Sequence, residues 1–251
     1  MRRLRFKLFV LTLIILVLCL AALLAVKMMP IRAGKAGFME TLRLVKTFPF
    51  NEEAALKEWE EKVFKGKVVY RVEKSEDLSY VRAKSDAAAS ALYYKVKMDA
   101  KRMHPAVRWK WKIGAFPAKT GAESLETENE ADFAARVYVI FPTSFLLNSR
   151  VLEYIWAESI PAGTIGTSPY SDNIKLMVLR SGQDNKSEWL AEERDIIADY
   201  NLMFGREPDY NIGAVAFMTN AEHTGSSAEA MYDDIELGYK GGNPSTTGGE
   251  R

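Results

Sequence analysis

The sequence predicts an all-β protein: a two-sheet antiparallel β-sandwich, jelly-roll-like, with one or two short helices, preceded by a transmembrane helix. Three observations predict it. Between residues 45 and 240 the dominant hydrophobic period is two, the period of a half-buried strand. Turn formers punctuate the strands, as in "GAFPAKTG", "IPAGTIGTSPYSDN", "SGQDN" and "EHTGSS". Helical patterns are too few to alternate with strands, as a doubly wound α/β sheet would require.

The elements follow in order. "MRRLRFK" carries four positive charges and precedes residues 8–26, "LFVLTLIILVLCLAALLAV", which carry none. That run has about the ~20 residues needed to span hydrocarbon as an uninterrupted helix. No clean Ala-x-Ala cleavage site follows it, so the reading is an uncleaved anchor over residues 1–29. The basic flank predicts an N-terminus in the cytoplasm and a body exported to the periplasmic or extracellular side. Residues 30–44 read as a juxtamembrane connector, 45–240 as the sandwich domain, and the Gly/Ser/Thr-rich residues 241–251 as a disordered tail.

Nine strands are expected, at 67–73, 79–84, 91–98, 106–113, 133–141, 152–157, 174–180, 212–219 and 230–239. "NEEAALKEWEEKVF" (51–64) reads as a helix opening on an Asn cap, with Leu56, Trp59 and Val63 at helical spacing. In "EWLAEERDIIADYNLMFG" the first half is compatible with a strand, and residues 196–204 with a helix ended by Gly205.

Composition excludes several functions. Cys19, the one cysteine, lies in the apolar run, so the body has neither a disulfide nor a thiol nucleophile. Two histidines, His104 and His223, are too few for a multi-histidine zinc site. No phosphate-binding glycine loop or nucleophile elbow is present. Of 34 basic and 33 acidic residues, eight and one fall in residues 1–44. The remainder therefore carries about −6, which argues against a nucleic-acid partner.

Three charges stand on apolar stripes. Arg136 interrupts "FAARVYVIF", Arg180 ends the Ile174/Leu176/Val178 stripe, and Asp233 shares parity with Met231, Ile235, Leu237 and Tyr239. A buried unpaired charge costs several kcal/mol, so each needs a partner. A structural salt bridge from Arg136 or Arg180 to Asp233, Asp234 or Glu193 is one reading; a polar ligand pocket is the other. The candidate ligand-binding set is Asp132, Arg136, Tyr154, Trp156, Arg180 and Glu193, with Tyr154 and Trp156 as stacking surfaces. Trp109 and Trp111 lie on the more apolar face of their strand and read as core. No cofactor is expected beyond a structural calcium on Asp233, Asp234 and Glu222.

The series "ADFAARVYVIF", "EYIWA", "LMVLRSG", "WLAEERDIIADYNLMFG" and "AVAFMTNAEHTGSSAEAMYDDI" resembles the bacterial family known as domain of unknown function 3047. The resemblance implies an exported β-sandwich with no established activity. It also implies recurrent polar positions at Asp132, Arg136, Trp156, Arg180, Glu193, Arg194, Asp199, Tyr200, Thr224, Gly225 and Asp234. This chain departs from the family pattern where it has Asn220 and Glu222 in place of two aspartates and His223 in place of an amide. "YDDIEL" is similar to the last strand of carbohydrate-binding jelly rolls. The expected function is a non-catalytic module, anchored to the membrane, that binds an envelope carbohydrate. The alternatives are a protein-interaction module of an envelope complex and a sugar-active hydrolase.

Overall fold

The computed structural model describes residues 41–75, 78–128, 131–143 and 148–241. The predicted anchor (1–29), most of the connector and the tail beyond residue 241 lie outside them. Among the described residues, no helix is long and apolar enough to cross a membrane.

All nine expected strands form. In chain order the strands are β1 (Arg43–Phe48), β2 (Glu60–Lys65), β3 (Val69–Ser75), β4 (Leu78–Asp86) and β5 (Ala89–Met98). They continue with β6 (Pro105–Ala115), β7 (Ala135–Phe141), β8 (Arg150–Ala157), β9 (Ile165–Ser168) and β10 (Ser171–Ser181). Among the described residues β11 (Leu190–Asp195), β12 (Ile212–Asn220) and β13 (Ser227–Tyr239) complete the set, with one α-helix, α1 (Ile196–Phe204), between β11 and β12. The α1 boundaries follow from chemistry in the sequence. Asp195 accepts a hydrogen bond from the Ala198 amide, and Gly205 closes the helix at φ 70°, a left-handed conformation that glycine adopts without strain.

The strands make two sheets. The smaller runs β11-β6-β13-β4-β3, with β1 on the second half of β13; the larger runs β2-β5-β12-β7-β8-β10-β9. Pairing is antiparallel except between β8 and β10, which pair in parallel, with β9 as the edge strand on the far side of β10. That pair departs from the wholly antiparallel expectation. Between the sheets lie Trp109 and Trp111 of β6, Tyr154 and Trp156 of β8, and Phe217 and Tyr232 of β12 and β13, all buried. Trp111 meets Trp156 at 5.9 Å and Trp109 meets Tyr154 at 5.5 Å between ring centres, so facing strands interlock through aromatic edges and faces.

The helix expected over 51–64 does not form. A 3-10 turn occupies Glu53–Glu58, and the chain then extends as β2 along β5. Tertiary packing overrides the helical spacing. Trp59 inserts among Phe48 and Phe217, at 4.7 and 4.8 Å between ring centres, whereas Val63 faces outward at 41% exposure.

Two β-bulges break the alternation on which the charge readings rested. β10 shifts register between Val178 and Arg180, which places Arg180 opposite Trp156 rather than on the Ile174/Leu176/Val178 stripe. β13 shifts between Asp233 and Glu236, with Asp234 at φ 45°. Beyond this bulge Ile235 and Leu237 rejoin Tyr232 in the core, so Asp233 shares no face with them.

Asp233 is nevertheless buried (2% exposed), opposite Lys110, and its Oδ1 has no hydrogen-bond partner among the described residues. Burial pushes its carboxyl up to about 6. A folded-state value above that of the unfolded chain means the native state holds the extra proton. The stability linked to it is full below about pH 4 and lost as pH rises through about 6. Asp233→Asn is expected to stabilise the protein by about 1–3 kcal/mol above pH 7 and to flatten the decline between pH 4 and 7. Urea denaturation across that range measures both; an unaltered pH profile in the variant would refute the assignment.

Candidate functional site

Arg136 leaves the core side of β7, where Ala135, Val137 and Val139 point, and lies on the outer face of the larger sheet. A guanidinium there is satisfied only if every donor finds an acceptor. Its Nε donates to Glu153 Oε1 at 2.5 Å, and its Nη1 to Asn220 Oδ1 at 2.8 Å and to the Ala131 carbonyl at 3.3 Å. Glu153 is the diagonal neighbour in the β7–β8 register, where Arg136 faces Ile155 and Tyr138 faces Glu153. Burial opposes the charge, but Glu153 outweighs it and holds the guanidinium more basic than usual. The partner is thus an acid within "LEYIWA", and not Asp233, Asp234 or Glu193.

Asn220, the last residue of β12, carries the network outward. Its Oδ1 accepts from Arg136 and from the Phe133 amide, while its Nδ2 donates to Asp132 Oδ1 at 2.6 Å and Glu222 Oε2 at 2.8 Å. Asp132, fully buried just before β7, organises the loop after β12. Its Oδ2 accepts from the His223 amide (3.0 Å), the Thr224 amide (2.8 Å) and Thr224 Oγ1 (2.9 Å). Burial alone would raise its pKa, but the Thr224 donors hold the carboxyl below its ordinary range. Glu222 is shifted the other way, raised by burial and by the neighbouring Asp132.

At the surface the loop presents His223 beside Tyr170, which sits in the turn between β9 and β10. Their rings lie 5.9 Å apart at 30°, and Tyr170 Oη stands 3.4 Å from His223 Nδ1 and 3.3 Å from Nε2. Tyr170 is 49% exposed, so one aromatic surface faces water next to the carboxylate of Glu222 and the imidazole. On the same outer face, Phe133, Ala131 and Leu125 of the β6–β7 connection cover Ile155, Leu176 and Val178. A buried Lys119–Glu123 ion pair braces that connection; Glu123 also receives the amides of Glu158, Ser159 and Ile160.

The structure unites Asp132 and Arg136 of the expected ligand set through Asn220 and separates them from the rest. Tyr154 and Trp156 point into the sandwich, at 0% and 1% exposure, and present no stacking surface. Leu152, Tyr154 and Trp156 alternate onto the core face of β8, and the loop after the strand does not uncover them. Tyr154 Oη donates to Asp199, which also pairs with Arg194. Arg180 bridges the two sheets by pairing with Glu192 at 2.6 Å, and Glu193 pairs with Arg108 at 2.8 Å. Of the expected calcium ligands, Asp234 pairs with Lys110 at 2.5 Å, while Glu222 groups with Asp132 and His223 instead. The expected set lacked Glu153, Asn220, His223 and Tyr170. Glu153 was detectable as an acid sharing parity with Ile155; Tyr170 carried no signal, because its meeting with His223 joins residues 53 apart in the chain.

The fold and this cluster together define a two-sheet β-sandwich with a polar loop site at one end of its larger sheet. The chain belongs to the family described as "Protein of unknown function (DUF3047)", whose model matches residues 57–236. No curated protein matches the sequence. Among solved structures it is similar to a family 11 carbohydrate-binding module of a cellulosomal cellulase of Clostridium thermocellum, at 11% identity and TM-score 0.39, covering 82% of this chain and 97% of that one. It is also similar to the xyloglucanase domain of the Sinorhizobium fredii effector NopAA, at 10% identity and TM-score 0.43, covering 72% and 93%. The Rhodothermus marinus endoglucanase cel12A gives 10% identity and TM-score 0.43, covering 72% and 96%. At such identities and scores, these likenesses carry no assignment of substrate or activity to this chain.

Removing Arg136 leaves Glu153 buried and unpaired. Arg136→Met is expected to cost about 3–5 kcal/mol in chemical denaturation, and the double variant Arg136→Met/Glu153→Gln to recover part of that loss. Equal destabilisation by the single and double variants would show that the pair is not the source.

Proposed function

We propose that this protein is an exported β-sandwich, held at the membrane by residues 1–29, that binds an envelope carbohydrate without altering it. One observation carries the reading: Tyr170 offers a solvent-facing ring immediately beside His223 and Glu222, on a loop whose backbone is tied down by buried Asp132. Sugars present apolar C–H faces and rings of hydroxyls. An exposed aromatic flanked by a carboxylate acceptor and an imidazole matches both, and a pre-ordered loop lowers the entropy lost on binding. Asp132 and Arg136 act as positioning residues, reaching the ligand's contacts only through the loop and Asn220. Asp132 is a poor member of a hydrolytic carboxylate pair, because it is fully buried beneath the loop.

The test is co-sedimentation of the purified full-length chain with insoluble peptidoglycan and envelope polysaccharides, with assay of the supernatant for released sugar. Retention without release is expected. Tyr170→Ala should weaken retention about tenfold, near the ~1.4 kcal/mol scale of one aromatic contact, with unchanged thermal stability. Release of sugar, or equal retention by the variant, would overturn the reading.

A further inference from the structure

His223 Nδ1 faces an unusual group of neighbours. Glu222 Oε1 stands 3.3 Å away, Asp132 Oδ1 3.4 Å and Tyr170 Oη 3.4 Å. One N–H cannot serve three acceptors, and each separation exceeds the ~2.7–3.2 Å of an ordinary N–H···O bond. One ligand atom from each of Asp132, Glu222 and His223 lies within 4.8 Å of the other two. Atoms bound tetrahedrally to a metal at ~2.0–2.1 Å are spaced about 3.3–3.4 Å apart, which is the spacing of Nδ1 from both carboxylate oxygens.

We propose that Asp132 Oδ1, Glu222 Oε1 and His223 Nδ1 form a binding site for a divalent transition-metal ion of the Zn²⁺ class, with a fourth position open beside Tyr170. The supporting shell is already in place. Asn220 Nδ2 bonds both carboxylates, and the Thr224 donors fix Asp132 through its other oxygen, so the ligating oxygens are oriented without being used up. Each carboxylate oxygen has two acceptor sites, and Asp132 Oδ1 accepts one strong bond, from Asn220. Charge agrees with the geometry. Arg136 and Glu153 neutralise each other, leaving two converging carboxylates that a dication would compensate. The imidazole sets the class of metal: Ca²⁺ and Mg²⁺ take oxygen ligands, whereas one imidazole with two carboxylates suits Zn²⁺ and its neighbours. This site differs from the calcium expected on Asp233, Asp234 and Glu222, and it does not depend on sugar binding.

The test is calorimetric titration of the chelator-treated full-length chain with Zn²⁺, together with visible absorption after loading Co²⁺. One ion per chain is expected, with Co²⁺ d–d bands of tetrahedral intensity and Ca²⁺ failing to compete. His223→Ala, at a partly exposed loop side chain, should weaken Zn²⁺ at least 100-fold and abolish the bands while leaving the metal-free melting temperature unchanged. Glu222→Gln should weaken Zn²⁺ at least tenfold. Absence of saturable binding, binding unaffected by both substitutions, or equal affinity for Ca²⁺ would each overturn the proposal. Sugar retention measured with and without chelator distinguishes the two readings, since either can fail while the other holds.

Discussion

The outer end of the larger sheet depends on one constraint: a guanidinium buried on β7 must be neutralised and hydrogen-bonded where it stands. Glu153 supplies the charge and accepts from Nε, and Asn220 and the Ala131 carbonyl accept from Nη1. This network ties β7 to β8 and to the end of β12, which are adjacent in the sheet. It also fixes Asn220, whose amide then aligns Asp132 and Glu222. The candidate site at this end is therefore built on a structural pair: Arg136 stays buried and, through Asn220, braces the loop that meets solvent.

Beneath that network lies a core whose largest side chains are aromatic and come from both sheets. Tyr232 connects the two layers. Its ring packs on Phe217 at 4.8 Å, and its hydroxyl donates to the Met218 carbonyl at 2.6 Å while accepting from the Arg136 amide. Asp199 has a similar role at α1, where it receives Tyr154 Oη and Arg194. Such contacts explain why polar residues recur among apolar strands without belonging to a ligand site. Arg180 with Glu192, Arg108 with Glu193 and Lys110 with Asp234 are of this kind, each joining neighbouring strands or the two sheets.

The site itself is a short loop of mixed chemistry, with a rigid inner side and a wet outer one. Asp132 takes up the backbone donors that a tight loop leaves unsatisfied, so Glu222 and His223 are displayed in a set geometry. A single loop thus places an exposed aromatic ring beside three side chains of metal-ligating type.

Sequence alone determined the nine main strands, the span of α1 from Ile196 to its end at Gly205, the core location of Trp109 and Trp111, and the need of Arg136 for a partner. Alternation, capping and the cost of a buried charge are local rules, and they hold wherever the backbone stays regular. Tertiary structure decided the rest. The bulges at Val178–Arg180 and Asp233–Glu236 reset which face a side chain occupies, so parity counted across them misplaced Arg180 and Asp233. Trp59 turned a helical pattern into an edge strand because its ring had a place among Phe48 and Phe217. Glu153 as partner and Tyr170 as neighbour of His223 depended on strand register and on loops distant in the chain. Those separations are closed by packing between elements, a property of the assembled sheets that no local pattern contains.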